Sequence, residues 1–489
     1  MSHLTDMLDS LPGLLPAFLV RQRWFGGKAK TIVSCEVEDS ADLPDRNAEM
    51  VAIIAGVSYS DALRERYALL LSRRPDALGF PSLGRLAHPD GDWIVEAGTD
   101  PAAAPALLRG FTENGPIPTR RGGILRYADI GEAARHVLAN ADPTVEVLGS
   151  EQSNTSLRVG SMLVFKLFRR LEPGENPELE VGRFLTSRTA FRAMSALEGS
   201  LTYIPPSRES ATLGVLQTWV HNQGDGWGYV LSALGEHRRT GMPPPQLALD
   251  MTRLGAITAD FHAALESDHS SELFRPEPVQ PRDIDGWCAQ LLDRVSRACA
   301  LTESRLRTWP DEARRLGASL LSKSQLIRSI ASAAGRGAAR FHKIRIHGDY
   351  HLGQTLKTPS GFVIIDFEGE PATPIAHRRQ KHCALKDVAG MLRSFEYAIE
   401  TSSDHGTDTA DRLRTPPGLR ECFLDGYLQS AGARGLLSIP ADRTAIAEWL
   451  SFFELEKALY ELEYEVNNRP AWAHIPLRGI LRSLDAQDV

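Results

Sequence analysis

Cysteine is scarce and scattered, with five residues in 489 (Cys35, Cys288, Cys299, Cys383 and Cys422) and neither a CxxC nor any paired spacing. Such a set excludes a cysteine-based zinc site and a disulfide framework, and it points to reduced thiols in a cytoplasmic setting. Long apolar runs are also missing. The longest candidates, such as 51–57, fall far short of the roughly 20 residues that span a bilayer, so no membrane partner is expected. Neither sign of charge dominates: the net charge of -7 is mildly acidic and argues against nucleic acid as a partner. The amino terminus carries Asp6 and Asp9, is interrupted by Pro12 and Pro16, and does not read as a secretory signal. No internal repeat or low-complexity tract is present. With 42% hydrophobic and 24% charged residues, the chain has the balance of a soluble globular protein with room for two or three domains.

What is present concentrates in residues 345–370, RIHGDYHLGQTLKTPSGFVIIDFEGE. A His-Gly-Asp turn is followed by Gln354, a short hairpin, and an apolar strand over 362–365 that delivers Asp366 at its carboxyl end. Phosphoryl transfer from ATP needs a carboxylate to take the proton of the attacking hydroxyl and oxygen ligands to hold Mg2+ against the phosphates. Asp349 is the candidate base. Gln354 and Asp366 are the candidate metal ligands, with Glu368 a possible further one, because Mg2+ takes few protein oxygens beside phosphate and water. Taken singly, the turn and the strand end are equally well structural; together, in this order, they favour chemistry. The arrangement parallels the HRD and DFG motifs of protein kinases, but Gly, Gln and DFE stand in place of Arg, Asn and DFG. Those departures point toward small-molecule kinases of the aminoglycoside-phosphotransferase type.

Upstream, residues 1–90 read as a small, mostly β module that includes RQRWFGGK at 21–28. Trp24 and Phe25 suit an aromatic corner, and Arg21, Arg23 and Lys28 offer an anion contact as the alternative. The turn 149–156 (GSEQSNTS) has a single glycine, Gly149, so it is a weak phosphate loop by itself; Ser153, Asn154 and Thr155 are its candidate contacts. The strand 162–168 places Lys166 on the same face as Val164 and Phe168, where lysine is costly unless it meets an anion. Asn176-Pro177 then starts a helix that carries Glu180. In this order Lys166 would hold phosphate oxygens and Glu180 would hold Lys166. A strand over 213–220 would bring adenine to the backbone near Gln217, Trp219 and Val220. Beyond it, Asp225 and Trp227 are either cleft residues or a turn aspartate and a packing tryptophan. Helical periodicity follows at 247–265, where His262 reads as a core histidine, and at 284–300, 311–333 and 387–397. The last long helix, 441–467, has an apolar stripe (Phe452, Leu455, Leu459, Leu462, Val466) and a second face of Phe453, Lys457, Tyr460 and Tyr464, with Glu456 and Glu461 at its margins. Aromatic faces with charged tips suit a sugar, and packing beneath the following loop is the alternative.

On RQRWFGGK, the 149–156 turn leading to KLFRRLEPGENPELEVGRFL, RIHGDYHLGQ, VIIDFEGEP, KDVAGMLRSFEYA and YELEYEVNNRPAW, the sequence resembles the bacterial maltokinase family over most of its length. The resemblance implies an α+β, bilobal kinase-like fold. It would comprise an amino-terminal cap (1–90), a β-rich intermediate nucleotide-binding subdomain (91–222) and a helical catalytic and sugar-binding lobe (223–489), with ATP at the hinge between the last two. It implies ATP- and Mg2+-dependent phosphorylation of maltose to maltose 1-phosphate for α-glucan synthesis, often beside trehalose synthase. Asp349 would be the base and Lys457, Tyr460 and Tyr464 part of the maltose pocket, with His351 and Glu461 further substrate candidates. One departure is Cys383-Ala384-Leu385-Lys386 where the family pattern is Ser-Pro-Leu-Arg, a segment expected to lie outside the site. A glucosamine kinase of the same fold and a non-catalytic kinase-like module are the competing readings.

Overall fold

The computed structural model describes residues 2–43, 50–76, 79, 81–85, 92–100, 103–112, 115–139, 144–148, 153–206, 209–242, 244–333, 340–371, 373–402 and 418–485. Backbone proximity divides the chain into two compact units: Met1–Ser187 with Ser195–Val220 and Ala372–His377, and Arg188–Met194 with His221–Pro371 and Arg378–Val489.

The first unit opens with a helix, Ser2–Leu19, that runs through Pro12 and Pro16, in a segment the sequence suggested to be mostly β. Each interior proline costs a helix roughly 3 kcal/mol. Full burial of Leu11, Leu15, Phe18 and Leu19 offsets that cost. Among the described residues a six-stranded antiparallel sheet follows, in the order Ile32–Leu43, Met50–Tyr59, Arg64–Arg74, Trp93–Glu96 and Ser82–Arg85, with Arg170–Leu171 added beside Arg64–Arg74. Both of its faces are buried. Val51, Ile53, Ala55 and Val57 meet the helix residues Leu11, Leu15 and Phe18, whereas the alternate positions Met50 and Ile54 join Leu107, Leu157 and Phe165 in a second core. The RQRWFGGK run makes the aromatic corner: Phe25 and Trp24 lie 5.1 and 5.9 Å from the Tyr67 ring. Among the described residues this unit also holds a seven-stranded antiparallel sheet, ordered Ile117–Pro118, Ile124–Ala128, Leu197–Ile204, Ala211–Thr218, Leu163–Phe168, Asn154–Val159 and Val145–Leu148.

The second unit is mostly helical, with the hairpin Thr355–Thr358/Gly361–Ile364 set among its helices. The helix expected over 311–333 is two helices, Asp311–Ser322 and Ser324–Ala333, broken at Lys323. Asp225 proves to be the N-cap of the helix Gly226–Thr240, its carboxylate accepting the Gly228 N–H at 2.6 Å. Two glycines let the helices Pro245–Leu265 and Leu419–Arg434 cross with their backbones in near contact. A Cβ on Gly255 would lie 2.0 Å from the Phe423 carbonyl oxygen, and one on Gly426 2.0 Å from that of Thr252. Replacing Gly426 by Ala must push the helices apart, and a loss of about 1–3 kcal/mol is expected. Denaturant unfolding measures it; a midpoint equal to that of the parent chain would contradict the close crossing.

Candidate active site

The run 345–370 is shaped by two turns and a hairpin. Gly348, at φ 82°, adopts a left-handed conformation that a side chain would resist. The turn it makes is anchored from below: the Asp387 carboxylate accepts the N–H of His347 at 2.8 Å and of Gly348 at 2.9 Å. Asp387 also faces His262 Nε2 at 3.2 Å, and His262 Nδ1 meets the Tyr427 hydroxyl at 3.0 Å. The core histidine read from the sequence is thus the support of the His-Gly-Asp turn. Beyond it, His351 Nδ1 accepts the Gly353 N–H at 3.1 Å and caps the short 3-10 turn Leu352–Gln354.

Asp366 follows the strand Gly361–Ile364 at φ 67°, a left-handed non-glycine residue. Its carboxylate accepts a 2.9 Å hydrogen bond from the Gln354 amide. One amide and one carboxylate therefore share a locus, the donor set that Mg2+ takes beside phosphate and water, so these residues fit that ion.

Asp349 has a different partner. Lys457, from the helix Arg443–Asn468, donates to Asp349 Oδ1 at 2.8 Å and to Glu370 Oε1 at 3.2 Å. Burial would raise the Asp349 carboxyl, but Lys457 and then His351 oppose it and hold it down at about 2. Burial would likewise lower the Lys457 ammonium, yet the two carboxylates raise it above its ordinary value. Asp349, Glu370 and Lys457 line one small, partly open cavity. Its other walls include Phe453 and Tyr460 from the same helix, Glu456 and Lys386, 3.0 Å apart as an ion pair, and Arg294. The Tyr460 ring sits between two cations, 4.7 Å from Lys457 Nζ and 5.1 Å from the Arg294 guanidinium.

Of the sugar face and its margins, the cavity gathers Phe453, Glu456, Lys457 and Tyr460, and it leaves Glu461, Tyr464 and the further substrate candidate His351 outside its lining. Glu461 is bound by the Arg393 guanidinium at 2.6 Å. Tyr464 is 39% exposed, with the Arg469 guanidinium 5.5 Å from its ring. His351 is committed to its turn. Sequence reasoning missed Glu370, Arg294 and Lys386 as lining residues. Lys386 in particular belongs to the segment expected outside the site, and its place in the wall corrects that expectation. Only the spacing of Glu370, two residues past Glu368, was visible beforehand.

In the first unit, Lys166 is buried on the strand Leu163–Phe168, opposite Ser156 and Val215 on its two neighbours. Glu180 is buried on the helix Pro177–Arg188, which Asn176 caps by accepting the Glu178 N–H at 2.9 Å. Gln217 donates to Glu178 at 2.8 Å, and the Trp219 N–H is taken by the Met162 carbonyl at 2.6 Å, while Val220 is half-buried just beyond. The Thr155 hydroxyl accepts from Arg169 at 2.8 Å; Asn154 is buried beside it and Ser153 is exposed. Residues 149–152 of the expected phosphate turn lie outside the described residues.

Comparison with known proteins accords with this geometry. Residues 18–100 match the maltokinase N-terminal cap domain. Glucosamine kinase of Mycolicibacterium smegmatis is 24% identical over 427 residues, covering 85% of this chain and 95% of that protein. Glucosamine kinase of Streptacidiphilus jiangxiensis is 24% identical over 389 residues, covering 78% and 77%. Solved structures of a glucosamine kinase superpose at 19% identity. One, a complex with glucosamine, ADP and inorganic phosphate, has a TM-score of 0.64 over 97% of this chain and 96% of that one. Another crystal form has a TM-score of 0.66 over 96% and 97%. The chain therefore has an α+β, kinase-like fold with a maltokinase-type cap. Among the described residues no helix is long and apolar enough to cross a membrane.

Because Lys457 keeps Asp349 ionised, Lys457→Met should raise the Asp349 pKa from about 2 by about one to three pH units. A carboxyl-carbon NMR titration reads this directly, and an unmoved Asp349 would contradict the pairing. The linked stability follows the sign of a depressed carboxyl: it is present above the unfolded value of about 3.9 and is lost as pH falls toward the folded one.

Proposed function

We propose that the protein is an ATP-dependent sugar kinase that transfers the γ-phosphoryl group to the anomeric hydroxyl of maltose, giving maltose 1-phosphate. The observation that carries this reading is an ionised carboxylate, Asp349, at the wall of a cavity whose other faces are aromatic rings and charged tips. Sugars are held in that way, by rings against C–H faces and charged groups against hydroxyls. Asp349 accepts the proton of the attacking hydroxyl as its oxygen bonds to phosphorus and the bond to ADP breaks. Gln354 and Asp366, with Glu368 as a further candidate, hold Mg2+, which when bound neutralises the phosphate charge. In the nucleotide-binding subdomain, 91–222, Lys166 meets phosphate oxygens with Glu180 to orient it, Ser153, Asn154 and Thr155 cover the phosphates, and adenine lies against Gln217, Trp219 and Val220. Residues 223–489 supply the acceptor site, and the cap is residues 1–90.

The maltokinase-type cap at 18–100 supports maltose. A second reading, glucosamine as acceptor, is favoured by the relatives of that name that match most of the chain. A non-catalytic module is disfavoured by the joint presence of Lys166, Asp349, Gln354 and Asp366.

The test is ADP release with ATP and Mg2+ across maltose, glucose, glucosamine and trehalose. Selective turnover of maltose, with the product phosphorylated at the anomeric position, is expected, and preference for glucosamine would replace the acceptor. Asp349→Asn should lower turnover by roughly 10²- to 10⁴-fold with little change in ATP binding, and unaltered turnover would remove Asp349 from its role. Tyr460→Ala should raise the sugar KM and leave ATP affinity alone; a fall in ATP affinity would detach the long helix from sugar binding.

A further inference from the structure

The cavity carries a charge pattern that bears on which sugar it admits, an inference that rests on the sugar-kinase reading. Its carboxylates are already occupied by the protein's own donors. Asp349 and Glu370 share the Lys457 ammonium at 2.8 and 3.2 Å. Asp387 spends its oxygens on two backbone N–H groups and His262. Glu456 meets Lys386 Nζ at 3.0 Å, with an Arg294 nitrogen at 3.9 Å behind it. Four carboxylates thus line the cavity with three cations, Lys457, Lys386 and Arg294, and two of those cations flank Glu456. A neutral sugar can bind this wall by offering hydroxyls, which both donate and accept. An ammonium brings only donors, and at Glu456 it would be a third positive charge beside Lys386 and Arg294 for that one carboxylate. Rejection by such an uncompensated charge is a recognised route to specificity.

We infer that the Lys386–Glu456 ion pair is a specificity determinant: Lys386 occupies the carboxylate that an amino sugar's ammonium would otherwise take, and so restricts the acceptor to neutral sugars. Glu456 is the carboxylate whose release would matter most. Burial would raise it, but Lys386 and then Arg294 hold it at about 2 while the ion pair is intact. Glu456 also adjoins Lys457 on the same helix, next to the site of proton transfer.

The experiment compares glucosamine with glucose, which differ only at C2, in ADP-release assays of the parent chain, Lys386→Met and Glu456→Gln. The Met variant keeps the length of the side chain and removes its charge. Its glucosamine-to-glucose ratio of kcat/KM should rise at least about tenfold, as Glu456 becomes available to the ammonium. Glu456→Gln leaves Lys386 without its carboxylate, and the ratio should fall below that of the parent. Thermal unfolding of each variant establishes that it is folded, and should Lys386→Met not fold, the direction of the Glu456→Gln change decides. A parent enzyme that already prefers glucosamine to glucose, or folded variants whose ratios stay within about twofold of the parent, would overturn the inference. Absence of turnover with every sugar in the parent chain would instead remove the kinase reading itself.

Discussion

The functional centre of the second unit depends on one ammonium group, that of Lys457, held between two carboxylates. Without it, Asp349 and Glu370 would be two uncompensated negative charges at one partly buried wall. With it, the Asp349 carboxyl is held down at about 2 and bonded to Lys457, and in the proposed mechanism this ionised group is the one that takes the proton. The interaction is useful only if the turn carrying Asp349 stays still. Asp387 accomplishes that by accepting two successive backbone N–H groups, and it is fixed in turn by His262 and, through it, Tyr427. Burial would raise Asp387, but the His262 hydrogen bond and charge and the turn's own N–H groups lower it, so the anchor remains charged.

The second locus, at Gln354 and Asp366, is built with local strain. An aspartate in the left-handed region costs on the order of 1–3 kcal/mol and persists where its surroundings over-determine it. Here those surroundings are identifiable. The Ile365 N–H is bound by the Gln354 carbonyl at 3.0 Å, the Ile365 carbonyl faces His347 Nε2 at 3.0 Å, and Gly369 turns the chain again at φ 74°. The bend brings the Asp366 carboxylate back over the hairpin to the Gln354 amide, which a strand continuing straight would not do.

Much of this was legible from residue order because the groups lie close together in the chain. Asp349, Gln354 and Asp366 flank one hairpin, and Lys457 and Tyr460 fall on one face of a periodic helix, so spacing alone grouped them. Lining residues contributed singly from distant helices were not legible: nothing local marks Arg294 or Lys386, whose partner Glu456 is 70 residues away. Glu461 was placed on the sugar face by periodicity, but Arg393, 68 residues upstream, claims it. The amino-terminal helix was hidden for another reason. Its two prolines argue against a helix by propensity, and only burial against Val51, Ile53 and Val57 overrides them. In the fold as a whole, apolar strands and 3.6-residue stripes announced themselves, because both faces of the cap sheet and the inner faces of the helices are buried.

The position of Lys457 is itself a product of charge. A long helix packed by an apolar stripe alone can slide or rotate, since Leu459 and Leu462 accept many neighbours. The helix Arg443–Asn468 is pinned instead by ion pairs at several turns: Glu454 to Arg420 at 2.9 Å, Glu456 to Lys386 at 3.0 Å, and Glu461 to Arg393 at 2.6 Å. Two of those partners, Lys386 and Arg393, belong to the helix Leu385–Ser402, which also carries Asp387. One helix thus fixes both the turn that presents Asp349 and the register of the helix that presents Lys457. Buried ion pairs are poor sources of net stability, and apolar replacements are often as stable. Their value here is geometric, because each pair is satisfied in a single register, and that register is the one that sets Lys457 against Asp349.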